Sequence, residues 1–133
     1  MPAEQRIAIR ADVDIVTARQ ESRRLASTLG FSSGDLTVIA AAVSEVARNI
    51  LAYAAQGEVE ITLLERNGRR GVIVVARDGG PGIPDVALAL QDGFSTSGSL
   101  GLGLPGARRL MDEFEISSEV GKGTVVTMRK WAR

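Results

Sequence analysis

Arg6-Ile-Ala-Ile-Arg10 alternates polar and apolar residues and reads as a short opening strand. From about Val13 to Leu29, apolar or small residues recur at Ile15, Ala18, Ser22, Leu25 and Leu29. Those steps of three and four predict an amphipathic helix, with Gly30 as its C-terminal stop. Ser32 or Ser33 is placed to cap a second helix reaching about Ala55, with the stripe Leu36, Ile39, Val43, Val46/Ala47, Ile50 and Ala54. Two strands follow, Glu58–Arg66 and Gly71–Asp78, joined by the hairpin signal Asn67-Gly68. Pro84-Asp85 opens a short helix to about Leu90, and loop residues run from Asp92 to about Leu102. A fourth helix is predicted over Leu104 to Phe114, its inner face made by Ala107, Leu110, Met111 and Phe114. The strands Glu115–Val120 and Thr124–Trp131 close the chain around Gly121-Lys122-Gly123. The order β-α-α-β-β-α-α-β-β predicts a two-layer α/β sandwich: one mixed five-stranded sheet with helices on a single face. Alternation along the strands leaves the other face to solvent or to a partner.

Composition narrows the chemistry. The 133 residues suit one domain and include neither cysteine nor histidine. Disulfides, thiolate nucleophiles, Ser-His-Asp triads and histidine metal ligands are therefore excluded. Acid–base work is left to carboxylates, Lys or Tyr. With 16 Lys+Arg against 16 Asp+Glu, no strongly basic face for nucleic acid or an anionic membrane is implied. Apolar runs such as Val38 to Val43 and Val72 to Ala76 are far shorter than a membrane span, and Met-Pro-Ala-Glu-Gln-Arg has no signal-peptide character. The expected location is the cytoplasm.

Eight of the 15 glycines, with three of the four prolines, fall between Gly79 and Gly106. Such a stretch gives a ligand close access to backbone N–H groups, which cradle phosphates best beside a helix N-terminus like the one near Leu104. Glycine density alone is equally compatible with a surface loop. Gly101-Leu-Gly103-Leu-Pro-Gly106 satisfies a dinucleotide pattern, but Ser95-Thr-Ser-Gly-Ser99 before it is no strand. Gly121-Lys122 is followed by glycine and fails as a Walker loop. What survives is the ordered set of Asp78-Gly-Gly80-Pro-Gly82 at a strand end, Gly101-x-Gly103 some twenty residues on, and Glu45 and Asn49 upstream on a helix.

Glu45 and Asn49, four apart, stack on one helix face, flanked by Ala41, Ala42 and Ala52, which leave room over them. An ordinary surface pair has the same spacing. With a nucleotide nearby, an Asn carbonyl suits Mg²⁺ that also takes phosphate oxygens and water. Glu45 would take or orient the proton of an attacking hydroxyl. Asp78, an acceptor when ionised, would receive the adenine amine; it is also a usual turn-starting residue before Gly-Gly. Asp92-Gly-Phe-Ser-Thr-Ser-Gly-Ser99 has the look of a hinged lid anchored by Phe94, its hydroxyls within range of phosphates or simply solvated. Arg108 and Arg109 are read as surface or partner residues, and Trp131 as a cover for the core or a partner patch.

These motifs resemble the nucleotide-binding fold shared by DNA gyrase, Hsp90, sensor kinases and MutL, the GHKL or Bergerat fold. Glu45-x-x-x-Asn49 resembles its N box, Asp78-x-Gly80-x-Gly82 its G1 box, Gly101-x-Gly103 its G2 box, and Gly121-Lys-Gly123-Thr124 its closing glycine-threonine element. The resemblance runs over essentially the whole chain and is strongest to the stand-alone serine kinases of bacterial stressosome partner switches. It rests there on Ala47-Arg-Asn-Ile50, Asp92-Gly-Phe-Ser-Thr-Ser-Gly98, Leu104 to Phe114 and the Lys130-Trp131 ending. It implies a kinase using ATP and Mg²⁺ (or Mn²⁺) on Ser or Thr of STAS-domain proteins, which on release activates a PP2C-type phosphatase. By carry-over, Glu45 is the catalytic carboxylate, Asn49 holds the metal and Asp78 reads adenine. Gly80, Gly82, Ile83, Phe94, Ser95, Thr96, Gly101, Leu102, Gly103, Leu104 and Thr124 complete the nucleotide site. Gly79 stands where a larger polar residue would be expected. The alternatives are an anti-sigma kinase, an ATP-gated binding regulator that needs Asn49 and Asp78 but no base, and a slow free ATPase.

Overall fold

Strand β1 (Glu4–Ile9) leads into α1 (Asp12–Ala26), a single 3₁₀ turn (Ser27–Leu29) and the long helix α2 (Ser33–Ala54). The chain continues through β2 (Gly57–Arg66), β3 (Arg69–Asp78), α3 (Gly103–Leu110), β4 (Glu113–Glu119) and β5 (Gly123–Trp131). This is a computed structural model, and it describes residues 4–83 and 103–132. The helix expected from Pro84 to Leu90 and the loop to Leu102 lie outside the described residues.

Local chemistry accounts for the helix ends. Asp14 reaches back from the first turn of α1 to accept the amides of Arg10 (2.9 Å) and Ala11 (3.1 Å). Arg23 and Arg24 lie in the last turn, the charge order that suits the helix dipole. Ser32 caps α2 by accepting the Asp35 amide at 3.1 Å. Asn67 (φ 55°) and Gly68 (φ 77°) form the tight β2–β3 turn that their sequence predicts.

The five strands pair in the order β1-β2-β3-β5-β4. The sheet was expected to be mixed, yet all four pairings are antiparallel. Two helices separate β1 from β2, so the chain returns against its starting direction. β3 and β4 do run the same way, but β5 slots between them and opposes both. The described helices cover one sheet face, with α2 in the middle of the helical layer between α1 and α3. Ile7, Ile9, Val59, Ile61, Val72, Val74, Val126 and Met128 point into this layer to meet Ile15, Leu25, Ile39, Val43, Val46, Ile50 and Ala107. Among the described residues, α2 is the one helix that by length and hydropathy would pass for a membrane span. Its apolar residues are instead the centre of this core.

The fourth predicted helix ends early. α3 stops at Leu110, and Phe114 belongs to β4, opposite Met128. Two competing partners terminate it. The Asp112 amide donates to the Arg129 carbonyl (2.9 Å), and Lys130 Nζ donates to the Leu110 carbonyl (3.1 Å) at the helix C-terminus.

The opposite sheet face carries no described helix. Ion pairs of Glu60 with Arg6 (2.9 Å) and Arg77 (3.3 Å) cross its β1 side. At the other end Trp131, expected to cover the core or a partner patch, lies flat over Gly71, where even a Cβ would strike its ring. Arg66 and Arg69 stack over the indole at 4.9 and 5.4 Å, and Trp131 Nε1 donates to Glu113 at 2.9 Å.

Candidate nucleotide site

Two elements carry the predicted polar residues. α2 supplies Glu45 and Asn49 on the side that faces α3, and β3 delivers Asp78 at its last position, beside the last turn of α2. The contact is close enough that a Cβ on Gly80 would lie 2.6 Å from that of Ala54. Gly80 is therefore required by proximity. Gly82 is required twice over: its φ is +81°, and a side chain there would strike the Glu119 backbone.

The polar face of α2 is not the open surface that its small residues suggested. α3 packs over it, so Glu45 is only 14% exposed at its side chain, and Ala42 is wholly buried. Ala41 and Ala52 remain exposed. Both oxygens of Glu45 are engaged. Oε1 receives Arg48 Nη1 at 2.7 Å, and Oε2 receives the backbone amide of Gly103, the first residue of α3, at 2.8 Å. Half-buried Asn49, one turn further on, commits its side chain to no hydrogen bond among the described residues.

Asp78 combines its two sequence readings. Oδ1 accepts the Gly80 amide at 3.0 Å and so starts the turn. Among the described residues nothing donates to Oδ2, which is left for another donor. Behind it, Thr124 is 4% exposed, sits opposite Asp78 across β3 and β5, and shares a hydrogen bond with Ser118 at 2.8 Å. Ser118 was not singled out from the sequence, yet its hydroxyl is the junction of this wall. It accepts the Ile83 amide (2.7 Å) and lies 3.2 Å from the Gly123 carbonyl. The Gly121 amide straps the same loop by donating to the Pro81 carbonyl at 2.8 Å. The only sequence signal for Ser118 was its polar place in a strand whose neighbours Phe114 and Ile116 turn to the helices.

Gly103 opens α3 with φ +62° and presents its amide to the site, whereas Leu104, 4% exposed, packs into the core. Phe94, Ser95, Thr96, Gly101 and Leu102 lie outside the described residues. Arg108 and Arg109 are exposed on the outer side of α3. A groove of about 670 Å³ opens on the other side of Asp78 and Gly79, lined also by Arg6, Arg10, Glu58 and Arg77.

The donor set fits a metal–nucleotide pair better than a bare metal. Among the described residues no group of three carboxylates is able to hold a cation. Asn49 offers one neutral oxygen, as suits Mg²⁺ that takes its other ligands from phosphates and water. Asp78 Oδ2 suits an exocyclic amine, and the Gly103 amide suits an anionic oxygen.

The chain resembles known proteins over most of its length. The chain is 48% identical over 127 residues to the serine/threonine-protein kinase RsbT of Bacillus subtilis (strain 168), covering 96% of each chain. It is 35% identical over 106 residues to the anti-sigma F factor of Geobacillus stearothermophilus, covering 74% of this chain and 71% of that one. Two solved structures share the fold at 20% identity. The mycobacterial sensor histidine kinase MprB superposes with a TM-score of 0.58 over 98% of each chain. The RsbU and RsbW domains of a Mycobacterium tuberculosis protein give 0.60 over 97% of this chain and 33% of the other. Residues 9–130 match the histidine kinase-like ATPase domain, and with an N-box helix beside an Asp-Gly-rich strand end the chain belongs to that family.

Proposed function

We propose that the protein is an ATP-dependent serine/threonine kinase of a bacterial partner-switching stress response, acting in the cytoplasm on STAS-domain proteins. On release it would activate a PP2C-type phosphatase. The observation that supports this reading is Glu45 bonded to the Gly103 amide, with Asn49 one turn further along the helix whose last turn packs against the Asp78–Gly80 turn. Support for the substrate class comes from the 48% identity to RsbT over nearly the full length of both chains.

When bound, MgATP supplies the transferable phosphoryl group and neutralises part of its charge. Asn49 would hold the metal through its side-chain oxygen. Asp78 would accept the adenine amine through Oδ2 and reject a guanine, whose O6 is also an acceptor. Gly80 and Gly82 would let the backbone approach the nucleotide, with Ile83 and Thr124 forming the wall. Glu45 would take the proton of the Ser or Thr hydroxyl as that oxygen bonds the γ-phosphorus and the bridging P–O bond to ADP breaks.

A second reading is favoured by one feature. Both Glu45 oxygens are already hydrogen-bonded, which suits an ATP-gated binding regulator with no base. Incubation with γ-labelled ATP, Mg²⁺ and a STAS-domain partner separates the two. The kinase reading predicts label on a partner Ser or Thr, lost with Asn49→Ala or Asp78→Asn. Nucleotide-dependent partner binding without label would select the regulator.

A further inference from the structure

We propose that Arg48 is the positioning residue for Glu45, holding Oε1 while Oε2 exchanges the Gly103 amide for the proton of the substrate hydroxyl. The proposal rests on reading Glu45 as the proton acceptor. Arg48 lies one turn along α2, and its Nη1–Oε1 contact is 2.7 Å, the shorter of the two bonds that Glu45 makes. Side-chain exposure is 38% for Arg48 and 14% for Glu45. A spaced surface pair of this kind adds little to stability. A mostly covered carboxylate, however, needs partners for both oxygens.

Those partners differ in kind. Arg48 belongs to the same helix as Glu45, so it follows the carboxylate. The Gly103 amide belongs to the N-terminus of another helix, where a carboxylate and a phosphate oxygen are equivalent guests and only one fits a single N–H. A phosphate oxygen that takes this amide frees Oε2 alone. Oε1 stays with Arg48, and the carboxylate is left with one oxygen fixed and one available. Arrival of the phosphate thus releases the base, and Arg48 keeps it from turning away. The contact is through one guanidinium nitrogen, so lysine is able to replace it in part.

Phosphorylation kinetics with a STAS-domain partner, paired with calorimetry using MgATP, test this on wild type, Arg48→Met, Arg48→Lys and Glu45→Ala. Arg48→Met is expected to lower kcat by about tenfold or more, part of the ~10²–10⁴-fold that a general base supplies. KM and Kd for MgATP should stay within about twofold of wild type on this partition. Arg48→Lys should recover most of the loss. Glu45→Ala should abolish transfer yet bind MgATP at least as tightly as wild type, because the competitor for the Gly103 amide is gone. Wild-type kcat in Arg48→Met, a loss confined to KM, no recovery with lysine, or weakened binding in Glu45→Ala would each overturn the proposal. Failure of the function itself shows elsewhere, as wild-type protein that binds no MgATP.

Discussion

On the proposed reading Asp78 divides one carboxylate between folding and recognition, and the division is testable. Asn at this position keeps an oxygen for the Gly80 amide, so the turn and the thermal midpoint should be nearly unchanged. The second atom becomes an NH₂ donor facing the adenine amine. Loss of a hydrogen bond to a charged acceptor is worth about 1.5–3 kcal/mol, so Asp78→Asn should weaken ATP binding roughly ten- to a hundredfold in calorimetry. At the far end of the sheet Glu113 is held below the usual carboxylate range, first by the Trp131 indole N–H and then by Arg66 and Arg129. A carboxyl whose folded pKa is depressed stabilises the fold above its unfolded value and loses that contribution as pH falls through the folded one. The thermal-midpoint advantage of wild type over Glu113→Gln should therefore be present at neutral pH and fade from about pH 4.5 downward. Trp131, the chain's single tryptophan, should report the same change by its fluorescence. An advantage independent of pH would show that the carboxylate's charge is irrelevant there.

At the scale of elements, the G1 loop is held from both sides, by the last turn of α2 against Gly80 and by the β4–β5 hairpin against Gly82. Gly82→Ala combines a left-handed backbone, costing about 1–2 kcal/mol, with a collision against Glu119. A fall of several degrees in the thermal midpoint, with weaker ATP binding, is the expected outcome; an unshifted midpoint would show that the loop relaxes freely. What was legible in the chain follows from what was local. Period, caps and the Asn67-Gly68 turn placed α1, α2, β2 and β3 within a few residues of where they lie. The end of α3 was misplaced because Met111 and Phe114 continue a helical period. Its termination depends on Arg129 and Lys130, which arrive from β5. Likewise, periodicity placed Glu45 and Asn49 on one face, yet had no means to reveal that α3 lies over it.

For the whole molecule, topology decides what the site is made of. Inserting β5 between β3 and β4 sets Thr124 opposite Asp78 and brings the Gly121 turn against Pro81. Residues forty or more positions apart thereby share one wall. Motif order singled out Asp78, Gly80 and Gly82 because their spacing is fixed within one turn. Ser118 stayed unnoticed because its role exists only once the strands have packed. Arg48, read only within Ala47-Arg-Asn-Ile50, gains its proposed role only once α3 sets the Gly103 amide against Glu45. The central claim is that this packing forms a seat for ATP with a divalent ion held at Asn49. Calorimetric titration of the protein with ATP, with and without Mg²⁺, measures it directly. The account predicts saturable binding that strengthens with Mg²⁺ in wild type and loses that Mg²⁺ dependence in Asn49→Ala. Well-folded wild-type protein that gives no binding heat, or an Asn49→Ala variant with undiminished Mg²⁺ dependence, would contradict it.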